Sequence, residues 1–360
     1  MPIQETLTGR ERVRLALAHQ ATDRIPIALV CAGINPPAMR ELDGYLRRER
    51  GTSAEAYLEP LVDIAQVDPA YIGPHLAPKT DIWGVERRDV SYGAGSYDEI
   101  CRSPLAAATS VGEVAAHSWP DPAWFDYSCL PERIAAVREV RDRAIMVWNG
   151  NIFETSWYMR GLEQMLVDVM VDEEIATAIM ESVTDFFTAY FDRILSAAPG
   201  AIDLVFTADD IGDQRGLLMP KDRWQRLIVP HHARLNRVIH AHGAKVIYHT
   251  DGSIMDAVDG LIDMGIDVLQ ALQFSADNMD PVRLKGQFGG RLCFHGGIDN
   301  QKVLPFGTAE EVRGEVRHAI DALASDGTGY ILAPCHNIQA VSPVENIAAM
   351  YDEAFSYGRF

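Results

Sequence analysis

Ala244-Lys-Val-Ile-Tyr-His-Thr-Asp-Gly252 and Gly329-Tyr-Ile-Leu-Ala-Pro-Cys-His-Asn337 decide the reading of this chain. Each begins as a continuous apolar run and ends in residues that can bind metals or move protons. A run that is apolar at every position suits a strand buried on both faces, as in a parallel sheet. In a barrel of such strands the C-terminal ends converge on one face, where chemistry sits. Two strand ends carrying His249, Asp251, Cys335 and His336 therefore propose an active site.

Working outward, similar runs recur at 25–30, 63–68, 144–148, 202–207, 266–270 and 291–295, which makes eight in all. Helical patterns lie between them, as at 160–196, 220–242 and 308–325. Thr8 stands as an N-cap before the first amphipathic segment. Strand alternating with helix predicts an α/β fold, and eight such strands predict a (β/α)8 TIM barrel spanning 1–360 as a single domain. The stretch from about 75 to 125 is rich in Gly, Pro, Ser, Tyr and Asp. It reads as an insertion after the second strand with a hairpin of its own, serving as a lid or docking segment.

The net charge of −19 argues against a nucleic-acid partner. Five dispersed cysteines without a CxxC read as reduced thiols of a cytoplasmic protein. The polar N-terminus shows no signal-peptide pattern, and the lack of a long apolar stretch predicts no membrane span.

Polar residues follow most strands. After the third come Asn149, Glu154 and Arg160, and after the fourth Asp209, Asp210 and Gln214. Gln273 follows the sixth and His295 ends the seventh. His249 and Asp251, two apart on extended backbone, face the same side. With Cys335 they offer N, O and S donors, all of which zinc accepts, leaving one position open for substrate. In the alternative, His249 is a hydrogen-bonded pocket residue oriented by Asp251. Asp209 and Asp210 could hold a cation, accept protons, bind substrate or cap a helix. His231, His232, His240 and His242 read as structural, and Trp83, Trp148 and Trp157 as core or pocket wall.

Taken in order, Gly9-Arg-Glu-Arg-Val13, Asp23-Arg-Ile-Pro26, Asp81-Ile-Trp-Gly84, Phe153-Glu154, Arg160-Gly161 and Asp209-Asp-Ile-Gly-Asp-Gln214 form a recognisable series. His240-Ala-His-Gly243, His249-Thr-Asp-Gly252, Phe294-His-Gly-Gly-Ile-Asp299, Leu332-Ala-Pro-Cys-His-Asn-Ile-Gln339 and Pro343-Val-Glu-Asn346 complete it. The set resembles the uroporphyrinogen decarboxylase superfamily, in particular its methyltransferase-like branch. The resemblance implies a (β/α)8 barrel, a homodimer and a small-molecule substrate. Porphyrin decarboxylation is not expected, because the first strand leads into Cys31-Ala-Gly-Ile-Asn-Pro-Pro37 with no arginine cluster.

The methyltransferase branch moves methyl groups between a corrinoid carried by a partner protein and a thiol or folate. Its thiol-dependent members hold zinc with a His-x-Cys…Cys set. Here those positions read His249, Asp251 and Cys335, and one thiolate plus one carboxylate preserves the −2 charge. His336 then stands behind the ligands or in the pocket wall. Catalytic roles fall to Asp209, Asp210 and His249, and substrate binding to Asn149, Glu154, Arg160, Gln214, Gln273, His295 and His336. Two other classes remain open. One is a metal-free decarboxylase or lyase for a small acid, using Arg24, Arg160 or Arg215 to bind its carboxylate. The other is a non-catalytic cofactor-binding barrel.

Overall fold

A computed structural model describes residues 5–29, 33–91, 93 and 96–360. Cys31 and part of the glycine-rich turn at 92–97 lie outside the described residues. Seven strands form one parallel sheet whose order follows the chain. They are β1 (Ile64–Gln66), β2 (Ala144–Asn151), β3 (Leu204–Ala208), β4 (Lys245–His249), β5 (Val268–Ala271), β6 (Cys293–Ile298) and β7 (Tyr330–Pro334). The sheet is curled, and its concave side buries Ile64, Met146, Leu204, Phe206, Ile247 and Val268 in one apolar cluster. The convex side packs on helices around a larger core. Burial on both faces explains why β3, β5, β6 and β7 are buried at every position.

The eighth expected strand differs. Residues 25–29 form only an isolated parallel bridge, Ile27 to Leu332. The Ala28 amide donates to Leu332 O (2.9 Å), the Leu332 amide to Pro26 O (2.8 Å), and the Asp63 amide to Ile27 O (2.8 Å). The segment thus contacts both β7 and the start of β1. Two local facts keep it from being a continuous strand. Pro26 has no N–H, and the Ile27 amide is taken by the Asp63 carboxylate at 3.0 Å.

Helix boundaries follow local chemistry. Thr8 caps Gly9–Leu17 and Thr308 caps Ala309–Leu323, each in a reciprocal capping box with Glu11 or Glu311. The long pattern at 160–196 divides at Asp172 into Leu162–Val171 and Glu173–Ala197. The pattern at 220–242 divides into Lys221–Leu227 and Val229–Ala241. Between β1 and β2, residues 86–91 and 96–102 form an antiparallel hairpin, and Ala70–Tyr71 pairs with Phe125–Asp126. None of the helices among the described residues is long and apolar enough to cross a membrane.

Candidate active site at the strand ends

Register sets the floor of the site. Ala208, His249, Gln270, His295 and Ile331 are side by side across β3 to β7. On parallel strands such neighbours point the same way, here into the concave side. His249 stacks on Phe206 (5.8 Å between centroids), which stacks in turn on Trp148 (4.4 Å). Beyond β4 the chain turns sharply. Gly252 has φ 88°, and a Cβ there would lie 2.4 Å from the Asp213 carbonyl oxygen. Only glycine fits that approach. It lets residues 250–253 dock on the loop after β3, where the Ile211 amide donates to Thr250 Oγ1 (3.2 Å) and the Asp251 amide to Asp210 Oδ1 (3.2 Å).

The structure gathers His249, Asp251 and His336, whose ligand-capable atoms lie within 4.8 Å of one another. Both imidazoles are oriented from behind. His249 Nδ1 is hydrogen-bonded to Gln270 Oε1, and the Gln270 amide nitrogen donates to Cys335 O (3.1 Å). His336 Nδ1 bonds Asn337 Oδ1 (2.6 Å), which also accepts from Gln339 Nε2 (2.8 Å). An amide oxygen on Nδ1 fixes the proton there and leaves Nε2 its lone pair, the usual support of a metal-binding histidine. Two imidazoles and one carboxylate suit a borderline divalent ion such as zinc, so the residues present fit a metal.

Cys335 stands outside this group. It is buried, its thiol donates to Leu272 O (3.3 Å), and burial pushes the thiol well above its usual range. Neighbouring residues at a strand end point to opposite sides, and His336 is the one that faces the donors.

The acids around the group are unequal. Asp209 is fully buried and its carboxylate is occupied. It accepts from the amides of Phe153 (3.0 Å) and Glu154 (2.7 Å) and pairs with His232. It therefore caps the N-terminus of the helix Ile152–Arg160, across 55 residues of sequence. Asp210 is open, with Oδ1 3.8 Å from His249 Nε2. Glu154 accepts from Asn151 Nδ2 (2.7 Å) and from the Tyr158 hydroxyl. Burial, then the charge of Asp210, pushes its carboxyl up to about 7, against the Tyr158 bond. Burial also raises Asp251, opposed by His249. For His249, burial favours the neutral ring, but Asp251, Asp210 and Glu154 outweigh it and raise the imidazole.

The other sequence candidates scatter. Gln273 is buried beside the group, accepting from the Gly252 amide (3.0 Å). His295 is buried in the floor, and burial lowers it to about 3, so it stays neutral. Asn149, exposed, sits at a break in strand register with φ 87°. Gln214 is exposed on the loop after β3. Arg160 is elsewhere: its guanidinium bonds Asp168 (2.7 Å) and the carbonyls of Leu105 and Ala108 (2.7 and 2.8 Å). Arg24 is held by Asp63 and Glu5, and Arg215 is exposed, so none of the three lends support to a carboxylate-binding lyase. Gln270 and Asn337 went unrecognised as supports. The signal for Gln270 was a buried polar residue inside the apolar strand Val268–Ala271, in register with His249.

A curled parallel sheet with its donors at the carboxyl ends defines an α/β protein of the barrel-type class. Residues 98–357 match the family described as Uroporphyrinogen decarboxylase (URO-D), and the chain belongs to that family. It is 26% identical over 264 residues to a methylated-thiol–coenzyme M methyltransferase of Methanosarcina mazei. That match covers 70% of this chain and spans 65% of the relative's length. Among solved structures, a methyltransferase from Methanosarcina mazei superposes with a TM-score of 0.66 at 15% identity, covering 98% of this chain and 99% of that one.

Proposed function

We propose that this protein is a methyltransferase of its family, taking a methyl group from a corrinoid-bound or small-molecule donor to a thiol or folate acceptor. The observation that carries the reading is the convergence of His249, Asp251 and His336, each imidazole locked through Nδ1, in a chain whose relatives include methyltransferases. We assign zinc to these three residues, with His336 in the place first given to Cys335. When bound, the ion supplies Lewis acidity that lowers the pKa of a thiol.

The chain's own groups do the rest. His249, Asp251 and His336 fix the acceptor's position. Glu154, poised near neutrality, takes the proton the thiol gives up as the new S–CH3 bond forms and the donor–methyl bond breaks. Asp209 holds the helix that carries Glu154, so its role is positioning. In the same proposal residues 25–29 close the curled sheet into a (β/α)8 barrel, 1–360 act as one domain in the cytoplasm, and a partner protein brings the corrinoid.

Elemental analysis of protein purified without chelator tests this. The expected result is about one zinc per chain, lost in His249→Ala and His336→Ala and kept in Cys335→Ala. Loss in Cys335→Ala with retention in His336→Ala would return the third ligand to the cysteine. Absence of stoichiometric metal in the wild type, together with no methyl transfer from methylcobalamin to a thiol, overturns the reading.

A further inference from the structure

Beside the metal-capable group lies a second feature that the proposed chemistry does not require. A cavity of about 410 Å³ opens between the insertion and the sheet. Its walls come from three separate parts of the chain. The insertion and its neck supply Tyr71, Trp83 and Phe125, the helix Glu173–Ala197 supplies Phe186 and Tyr190, and the helix Ile152–Arg160 supplies Tyr158. At its sheet end stand Asn149 and Asn151, and Asn151 bonds Glu154. The cavity is therefore one side chain away from the acids around His249.

The rings form an edge-to-face lattice. Trp83 meets Phe186 at 4.9 Å and 72°, Phe125 meets Tyr190 at 4.9 Å and 66°, and Phe186 lies parallel to Tyr190 at 5.6 Å. A further ring placed in the void extends that lattice, and a dry cavity of roughly 150 Å³ already admits benzene. Charge in the lining cancels. Arg87 pairs with Asp81 at 2.6 Å and its guanidinium lies over the Tyr158 ring at 5.3 Å. One polar atom is left over: Asn151 Oδ1 has no hydrogen-bond partner among the described residues and is covered by its neighbours, so a donor in the cavity reaches it once the Asn151 side chain turns. An acceptor in that state calls for a donor.

We propose that this cavity binds an uncharged aromatic molecule, its ring held among Trp83, Phe125, Phe186 and Tyr190 and its hydrogen-bond donor on Asn151 Oδ1. The insertion is on this account a wall of a ligand site. The ligand class stands on the lining alone; that the bound ring gives or receives the methyl group rests on the proposed methyl transfer.

The test is calorimetric titration of the full chain with phenol, toluene, cyclohexanol and tetramethylammonium as probes. Phenol is expected to saturate one site, about tenfold tighter than cyclohexanol and than toluene. Trp83→Leu weakens phenol about tenfold. Asn151→Leu removes the preference for phenol over toluene while toluene still binds, which shows that the variant is folded. No saturable phenol binding, equal binding of cyclohexanol, a phenol preference that survives Asn151→Leu, or tighter binding of tetramethylammonium overturns the proposal. Zinc content measured on the same samples separates the two readings, since phenol binding without metal, or metal without phenol binding, strikes only one of them.

Discussion

The two ends of the curled sheet hold buried charge in opposite ways. At the amino end, Asp63 is fully buried and completely engaged. It receives Arg12 (2.7 Å), Arg24 (2.7 Å), Arg141 (3.1 Å) and the Ile27 amide. Packing there is tight enough that a Cβ on Gly9 would lie 2.9 Å from Asp63 Oδ1. At the carboxyl end, Glu154, Asp210, Asp251 and His249 face one another without a lysine or arginine among their ion-pair partners at the described residues. Charge paired with fixed guanidinium groups holds a fold, whereas acids gathered around a histidine with no lysine or arginine partner are where a ligand or a proton is received.

That contrast can be broken from either end. The largest effect falls at the amino end: Asp63→Ala takes the shared buried carboxylate from three guanidinium groups and is expected to cost about 3–5 kcal/mol in chemical denaturation. Next, His249→Ala should lower metal affinity at least about 100-fold, read by competition with a chromophoric chelator, while stability without metal changes little. A similar loss of stability in both variants would erase the distinction. Gln270→Leu leaves all three donors but frees the His249 ring. Metal affinity should fall about 10- to 100-fold, a loss that Gln270→Glu partly restores.

The smallest effect sharpens the comparison. Glu154 is neutral more readily in the folded protein than unfolded, so the folded state binds the extra proton between the ordinary carboxyl range and about pH 7. Stability attributable to this residue therefore falls as pH rises through that window. Glu154→Gln should be more stable than the wild type at pH 8, on the order of 2 kcal/mol, with no gain at pH 4. A gain that is the same at both pH values would remove the raised carboxyl from the account.

What the sequence revealed follows the range of the forces. Six of the strands were legible because burial on both faces writes a largely apolar run, as in Tyr330–Pro334, whereas Ile64–Gln66 is buried only at Ile64 and writes a weaker one. The run at 25–30 looked the same, but its fate hung on Pro26 and on the remote Asp63, so periodicity could not separate it from a strand. His249 and Asp251 were legible because a two-residue spacing fixes their common side. The choice between Cys335 and His336 was not, because it turns on which of two adjacent side chains faces inward where the strand ends. Asp209 was open between a catalytic acid and a helix cap and was given the catalytic role; the helix it caps is 55 residues away, and no local pattern names it. Arg160 read as a site residue because it follows β2, but the carbonyls it binds belong to the insertion.

That last contact has a mechanical meaning. One guanidinium grips the loop around Leu105–Ala108 and, through its own backbone, the far end of the helix Ile152–Arg160. The insertion and the Glu154 helix are riveted together. In the two proposals, then, the wall of the cavity and the helix that carries the acid share one fastening.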